Sequence, residues 1–236
     1  AFGGTCSFPS PASPRCSFPL PGPGMIRNPA LRDRDYRRLL GGAAFHQQGM
    51  SGEQVVIGLL VYEATGTTAW VGIILAIYFL PFFVFGLLSG TVADWIDRRT
   101  LLRRLELATA AVLFVFAAST AQEETPIWII AAFTLFAGSL RALHQPVRSS
   151  YAYDLVGQEN LVSAMGLLNI GSRSGQLLGA LVAGFVMESF GGSAALACLG
   201  GGHLIAFLFF RSLRAAGVAA VVVRAPIHQN IREYVV

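Results

Sequence analysis

Gly90-Thr91-Val92-Ala93-Asp94-Trp95-Ile96-Asp97-Arg98-Arg99 is a short charged stretch set between two long apolar ones. Residues 69–93 are uncharged, and 105–121 carry a single acid, Glu106, at the near end. That pattern predicts a tight turn between two membrane-spanning helices. Arg98, Arg99, Arg103 and Arg104 crowd the start of the second helix, so the positive-inside rule places the turn in the cytoplasm. Charge alone also fits a basic membrane anchor, but the spacing is more particular. Gly90 lets two helices approach closely, and Asp94 lies where it can meet basic side chains and helix ends. Together with Arg98 and Arg99 they make a latch that can form and break on one membrane face.

The rest of the chain has the same character. Its 236 residues are 54% hydrophobic and 13% charged, with a mean hydropathy of +0.58, too apolar for a soluble domain of this size. The fold class expected is all-α integral membrane. Every one of the 17 basic residues is arginine, clustered beside apolar segments, which speaks for membrane topology and against nucleic acid as a partner. Cys6, Cys16 and Cys198 are an odd number in unrelated contexts, so neither a disulfide framework nor a metal site is suggested, and no cofactor is expected.

Three regions follow in order. Residues 1–35 read as a disordered Pro/Arg-rich extension: 1–24 hold six of the eleven prolines, and Met25 would make a natural start. No basic start followed by an apolar run marks a secretory signal there. Arg27, Arg32, Arg34, Arg37 and Arg38 place the N-terminus in the cytoplasm. Residues 36–213 form a transmembrane domain with six spans, near 38–62, 69–93, 101–121, 126–147, 161–188 and 193–213, each near or above the ~20 residues that cross a bilayer. The outer turns, at Glu63, Gln122-Glu123-Glu124 and Glu188-Ser189-Phe190-Gly191-Gly192, carry no arginine. Residues 214–236 read as a cytoplasmic linker towards an absent C-terminal half.

Polar side chains inside the spans are the candidate pathway for protons or substrate. In the first span His46, Gln47, Met50, Glu53 and Gln54 fall within about 120° of one another at 100° per residue. A lipid-facing acid at mid-membrane costs roughly 2.5–3.5 kcal/mol, so this stripe, with Glu53 as its acid, faces a cavity or another helix. Interhelical hydrogen bonding and proton carriage both fit it. In the fourth span Arg141, His144, Gln145 and Arg148 share a face beside Pro146, which breaks the helix ladder. These cations suit an anionic or polar substrate, or an acid on the first span. In the fifth span Asn169, Ser172, Arg173 and Gln176 lie on one side, while Gly171, Gly175 and Gly179 form a packing ridge on the other. His203, in the sixth span, reads as a buried hydrogen-bonded residue rather than a functional one.

With these residues in view, 36–213 resemble the N-terminal six-helix half of a major facilitator superfamily transporter, closest to the enterobactin-exporter-like and macrolide-efflux-like branch. Gly90, Asp94, Arg98 and Arg99 match the superfamily signature G-x-x-x-D-x-x-x-R-R, with Asp97 where many members carry glycine. Gly166, Gly175, Gly179 and Gly184, with Ala180 and Ala183, resemble the antiporter signature G-x8-G-x3-G-P-x2-G-G, alanine replacing the proline and one glycine. Arg141 loosely resembles the fourth-helix motif R-x-x-Q-G. Further support comes from Val61-Tyr62-Glu63-Ala64-Thr65-Gly66, Leu80-Pro81 and Gln145-Pro146-Val147-Arg148 leading to Asp154-Leu155-Val156. The resemblance implies a secondary active transporter fragment: a proton-coupled exporter of a small molecule such as a drug or siderophore, multi-pass in the cell membrane, partnered by the lipid bilayer and a missing six-helix half. A non-transporting membrane scaffold and an uptake symporter are the alternatives. An enzyme is not expected, since no nucleophile–base pair, metal-ligand cluster or phosphate-cradling glycine loop is visible.

Overall fold

The computed structural model describes residues 29–86, 97–121 and 125–214. After a 3-10 turn at Pro29–Arg32, helix α1 (Arg34–Thr65) starts on the Asp33 N-cap, whose carboxylate accepts from the Asp35 and Tyr36 amides. It stops at Gly66, which takes a left-handed φ of 68° and donates its N–H to the Tyr62 carbonyl. Helix α2 (Thr68–Gly86) returns alongside, carrying Pro81 within it. Helix α3 (Arg98–Thr120) begins on Asp97, which accepts from the Thr100 amide and hydroxyl. An acid in that position is therefore a helix cap, and its place in the sequence motif has a structural reason.

From Ile127 to Arg211 the chain is helical except at Gly157 (φ 68°, ψ 176°) and Gly191 (φ 84°, ψ 172°). Those two glycines adopt backbone angles closed to other residues and divide the run into α4 (127–156), α5 (158–190) and α6 (192–211). Here the expected boundaries shift. The fourth span does not end at 147: α4 continues past Pro146, because Val147 and, one to two turns beyond the proline, Tyr151 and Ala152 pack into the core. The turn expected at 188–192 contracts to Gly191 alone.

Contact registers fix the threading. Along α1, residues 40, 44 and 48 meet Gly171, Gly175 and Gly179 of α5 in the same order, so these two helices run parallel. Gly42, Gly49 and Gly52 meet Phe210, His203 and Leu199 in reverse order, so α6 runs antiparallel to α1. Contacts from Glu53 to Arg141 and His46 to His144 make α4 antiparallel to α1 as well. Pairs between α3 and α6 (Arg103 with Phe210, Glu106 with His203) are likewise antiparallel. The described helices thus alternate in direction along the chain.

Two apolar core clusters form, one towards the arginine-rich end (Tyr36, Leu39, Leu102, Tyr151, Phe210) and one towards the other (Val56, Ile74, Leu113, Phe116, Leu196). Between them lies a buried polar layer containing His46, Glu53, Glu106, Arg141, His144 and His203. The outside is apolar instead: Val162 is 86% exposed, Phe83 80% and Leu181 70%. This is the inverse of a water-soluble surface and suits hydrocarbon. Ile127–Gln158 and Asn160–Arg211 contain segments long and apolar enough to cross a membrane, and Thr68–Phe83 is a shorter apolar helix. Helices α1 and α3 fall short on composition because they carry the buried polar groups and the arginines.

Candidate functional site

The polar layer holds two separate assemblies. In the first, Glu53 of α1 and Arg141 of α4 form an ion pair with both side chains 1% exposed. The Arg141 guanidinium also lies over the Tyr78 ring of α2, 4.9 Å from its centroid, so one cation joins three helices. Gln54 lies next to the Tyr78 hydroxyl. Arg141 Nε and Nη1 make no hydrogen bond among the described residues, which leaves donors for a further acceptor. Close approach of α2 and α4 is possible because Gly138 lies against the Tyr78 carbonyl, where a Cβ would stand 2.5 Å from the oxygen.

In the second, Glu106 of α3 is fully buried and surrounded by three histidines. His46 Nδ1 lies 2.7 Å and His144 Nε2 2.8 Å from its Oε1, while His203 Nδ1 lies 2.7 Å from its Oε2. The His46 and His144 rings stack at 3.6 Å, and the His203 ring meets His46 edge-on at 5.5 Å. Along the helices this group lies about 12–18 Å from the arginine-rich end at 1.5 Å per residue. The Glu53–Arg141 pair is about 10 Å deeper along α1 on the same scale.

The arginine-rich end is tied by a different set of contacts. Arg98 Nη1 donates to both carboxylate oxygens of Asp154, at 2.7 and 2.6 Å, fastening the start of α3 to the end of α4. Arg99 reaches the Leu213 and Arg214 carbonyls, and Arg103 those of Phe210, Arg211 and Leu213. Both therefore satisfy the orphan carbonyls at the C-terminus of α6 and complement its dipole. Arg38 joins Asp35 to the Ser212 carbonyl. Gly90 and Asp94, the other two residues of the sequence motif, lie outside the described residues.

Helix α5 divides the remaining candidates. Gly175 and Gly179 press against the Ala44 and Gln48 carbonyls of α1, and Gly171 against Leu40. Gly166 and Gly184 face open space, so the ridge is shorter than the sequence pattern. Asn169 and Arg173 are exposed and Gln176 is half-buried, with Arg173 donating to Gln176 at 2.8 Å. They form a polar strip on the outer face of the bundle, whereas Glu53 and Arg141 are buried. Arg148 is buried on Ser172 and Gln145.

An acid on the first span is one of the partners the sequence offers the fourth-span cations, and Glu53 pairs with Arg141. His203 is buried and hydrogen-bonded as its sequence context predicts, but its partner is not predicted: Glu106, an acid near a turn in the sequence, lies 97 positions away. The local signal available was small: Glu106 is the sole acid in an otherwise uncharged helix body. In the sequence Asp154 stands only as part of a motif, and its bond to Arg98 depends on α4 extending past Pro146.

A family model described as Major Facilitator Superfamily matches residues 39–233. A comparison with curated proteins found no match.

Proposed function

The chain belongs to the major facilitator superfamily of membrane transporters, and from that membership we propose that it forms the N-terminal six-helix half of a proton-coupled exporter of small molecules, such as a drug or siderophore. The buried Glu53–Arg141 pair carries this reading. A carboxylate in the hydrocarbon layer is retained where its charge is used. In the proposed cycle a proton neutralises Glu53 and frees the Arg141 guanidinium, whose donors then turn to substrate or to another helix. Loss of the pair loosens α1 from α4, and the halves rock about the midplane. The Arg98–Asp154 bond and the arginine contacts with the end of α6 belong to the face that opens and closes, which we assign to the cytoplasm by its arginine content.

The polar strip of Asn169, Arg173 and Gln176 has no place against lipid, and it is assigned to the substrate pathway facing a second six-helix half. Export rather than uptake rests on the glycine spacing of α5. The test is gradient-driven transport in inverted membrane vesicles carrying the transporter. A Glu53→Gln variant should bind substrate and fail to accumulate it when a pH gradient is imposed. Full gradient-driven accumulation by that variant would remove Glu53 from coupling.

A further inference from the structure

We infer that His46, Glu106 and His144 form a binding site for a divalent first-row transition-metal ion, with Zn²⁺ the best match, and that His203 orients Glu106 from behind. One ligand atom from each of the three residues lies within 4.8 Å of the others, and all three side chains are buried. They come from α1, α3 and α4, so an ion there joins three helices.

Two features separate this group from an ordinary buried hydrogen-bond network. The approaches of His46 Nδ1 and His144 Nε2 to Glu106 Oε1 are short, yet neither has hydrogen-bond geometry, and all three atoms are without a hydrogen bond among the described residues. Buried polar atoms of this kind call for a partner. In addition, the ion pairs of Glu106 among the described residues are all to histidines. Arg148 is a fixed cation that acts on Glu106 from beyond ion-pair distance; a carboxylate removed from water needs a close compensating cation, and a divalent ion provides one while taking the imidazole lone pairs.

The donor set selects the ion. Two imidazoles and a carboxylate suit Zn²⁺ and its neighbours, at about 2.0–2.1 Å to nitrogen and 2.0–2.2 Å to oxygen, whereas Mg²⁺ and Ca²⁺ take oxygen and Cu⁺ takes sulfur. Cys198, the described cysteine, is exposed on α6 and takes no part. Three protein ligands leave a fourth position open.

His203 supplies the outer support. Its Nδ1 is hydrogen-bonded to Oε2, whereas the other two histidines come nearest to Oε1. This is how the second partner of a ligating carboxylate holds it in place. Gly49 of α1 makes room for the ring: a Cβ there would collide with the His203 imidazole. An ion bound at this site holds α1, α3 and α4 in the described arrangement and stabilises it by mass action. The inference is independent of the transport reading.

The test is titration of the purified full chain in detergent with Co²⁺, followed by its visible d–d absorption. One Co²⁺ per chain should bind, be displaced by Zn²⁺ and be removed by a chelator. His46→Ala or Glu106→Gln should abolish it, His203→Gln should weaken it by about 10–100-fold, and Cys198→Ser should leave it unchanged. Absence of stoichiometric binding, or equal binding by the Glu106→Gln chain, overturns the site. X-ray absorption at the zinc edge on the unaltered chain requires no variant. A nitrogen and oxygen shell with imidazole scattering is expected, and a sulfur shell or no retained zinc overturns the assignment.

Discussion

At the scale of single residues, energy in this protein is concentrated where charge is buried. Glu53 and Arg141 are each 1% exposed, so removing one partner leaves an uncompensated ion in a medium that solvates it poorly. Arg141→Met should therefore lower stability by about 3–5 kcal/mol, and Glu53→Gln in the same chain should recover most of the loss. Thermal unfolding of the purified single and double variants measures this. A double variant no more stable than Arg141→Met would mean that the two side chains are not coupled. The same residues show what the sequence could disclose. Stripe periodicity identified Glu53, His46, Arg141 and His144 as inward-facing, since a helix repeats every 3.6 residues and lipid rejects charge. It could not say that His46 and His144 share Glu106 rather than pairing with Glu53 and Arg141. That depends on the relative heights of four helices, which no local pattern encodes.

At the scale of helices, the packing of α1 decides the architecture. It is gripped by α5 through Gly175 and Gly179 and by α6 through Gly42, Gly49 and Gly52. Without side chains the helix backbones approach closely enough for dispersion to replace the hydrophobic drive that lipid removes. Gly175→Leu should disrupt this contact, where even a Cβ runs into the Ala44 carbonyl, and the cost should equal or exceed the roughly 1–3 kcal/mol typical of overpacking. Gly184→Leu should change stability little, since nothing lies within 4 Å of a Cβ there. Unfolding of both variants in detergent gives the comparison, and equal losses would show that the glycine pattern does not report packing. In the sequence the glycines at 166, 175, 179 and 184 form one motif, and the fold uses only its centre for close approach. Helix ends were less legible. The fourth span reads as ending at 147, one residue past Pro146, yet α4 continues, because burial of Tyr151 and the Asp154–Arg98 bond reward the following helical turns.

Over the whole molecule, a polar layer is enclosed by an apolar exterior, and arginines gather at one end. Composition and arginine spacing made this much evident, since both are sums over the chain. Pairwise registers show the described helices alternating in direction, and the proposed function reads that alternation as six membrane crossings with the arginine end inside the cell. The turn at Gly66–Thr67, between α1 and α2, is then external, while Arg104 near the start of α3 is internal. Both positions are exposed, so reagent access there reports topology rather than packing. In intact cells an impermeant maleimide should label Thr67→Cys, in a background with the native cysteines replaced by serine, and should reach Arg104→Cys only after permeabilisation. Labelling of Arg104→Cys from outside with Thr67→Cys protected would invert the threading and move the Arg98–Asp154 ion pair to the opposite face. Labelling of both from outside would place α3 on the same side as the first turn, which an odd number of crossings between residues 67 and 104 forbids. The positions of Glu53 and the His46–Glu106–His144 group relative to the membrane follow from this result, because each is a fixed number of helical turns from those two ends.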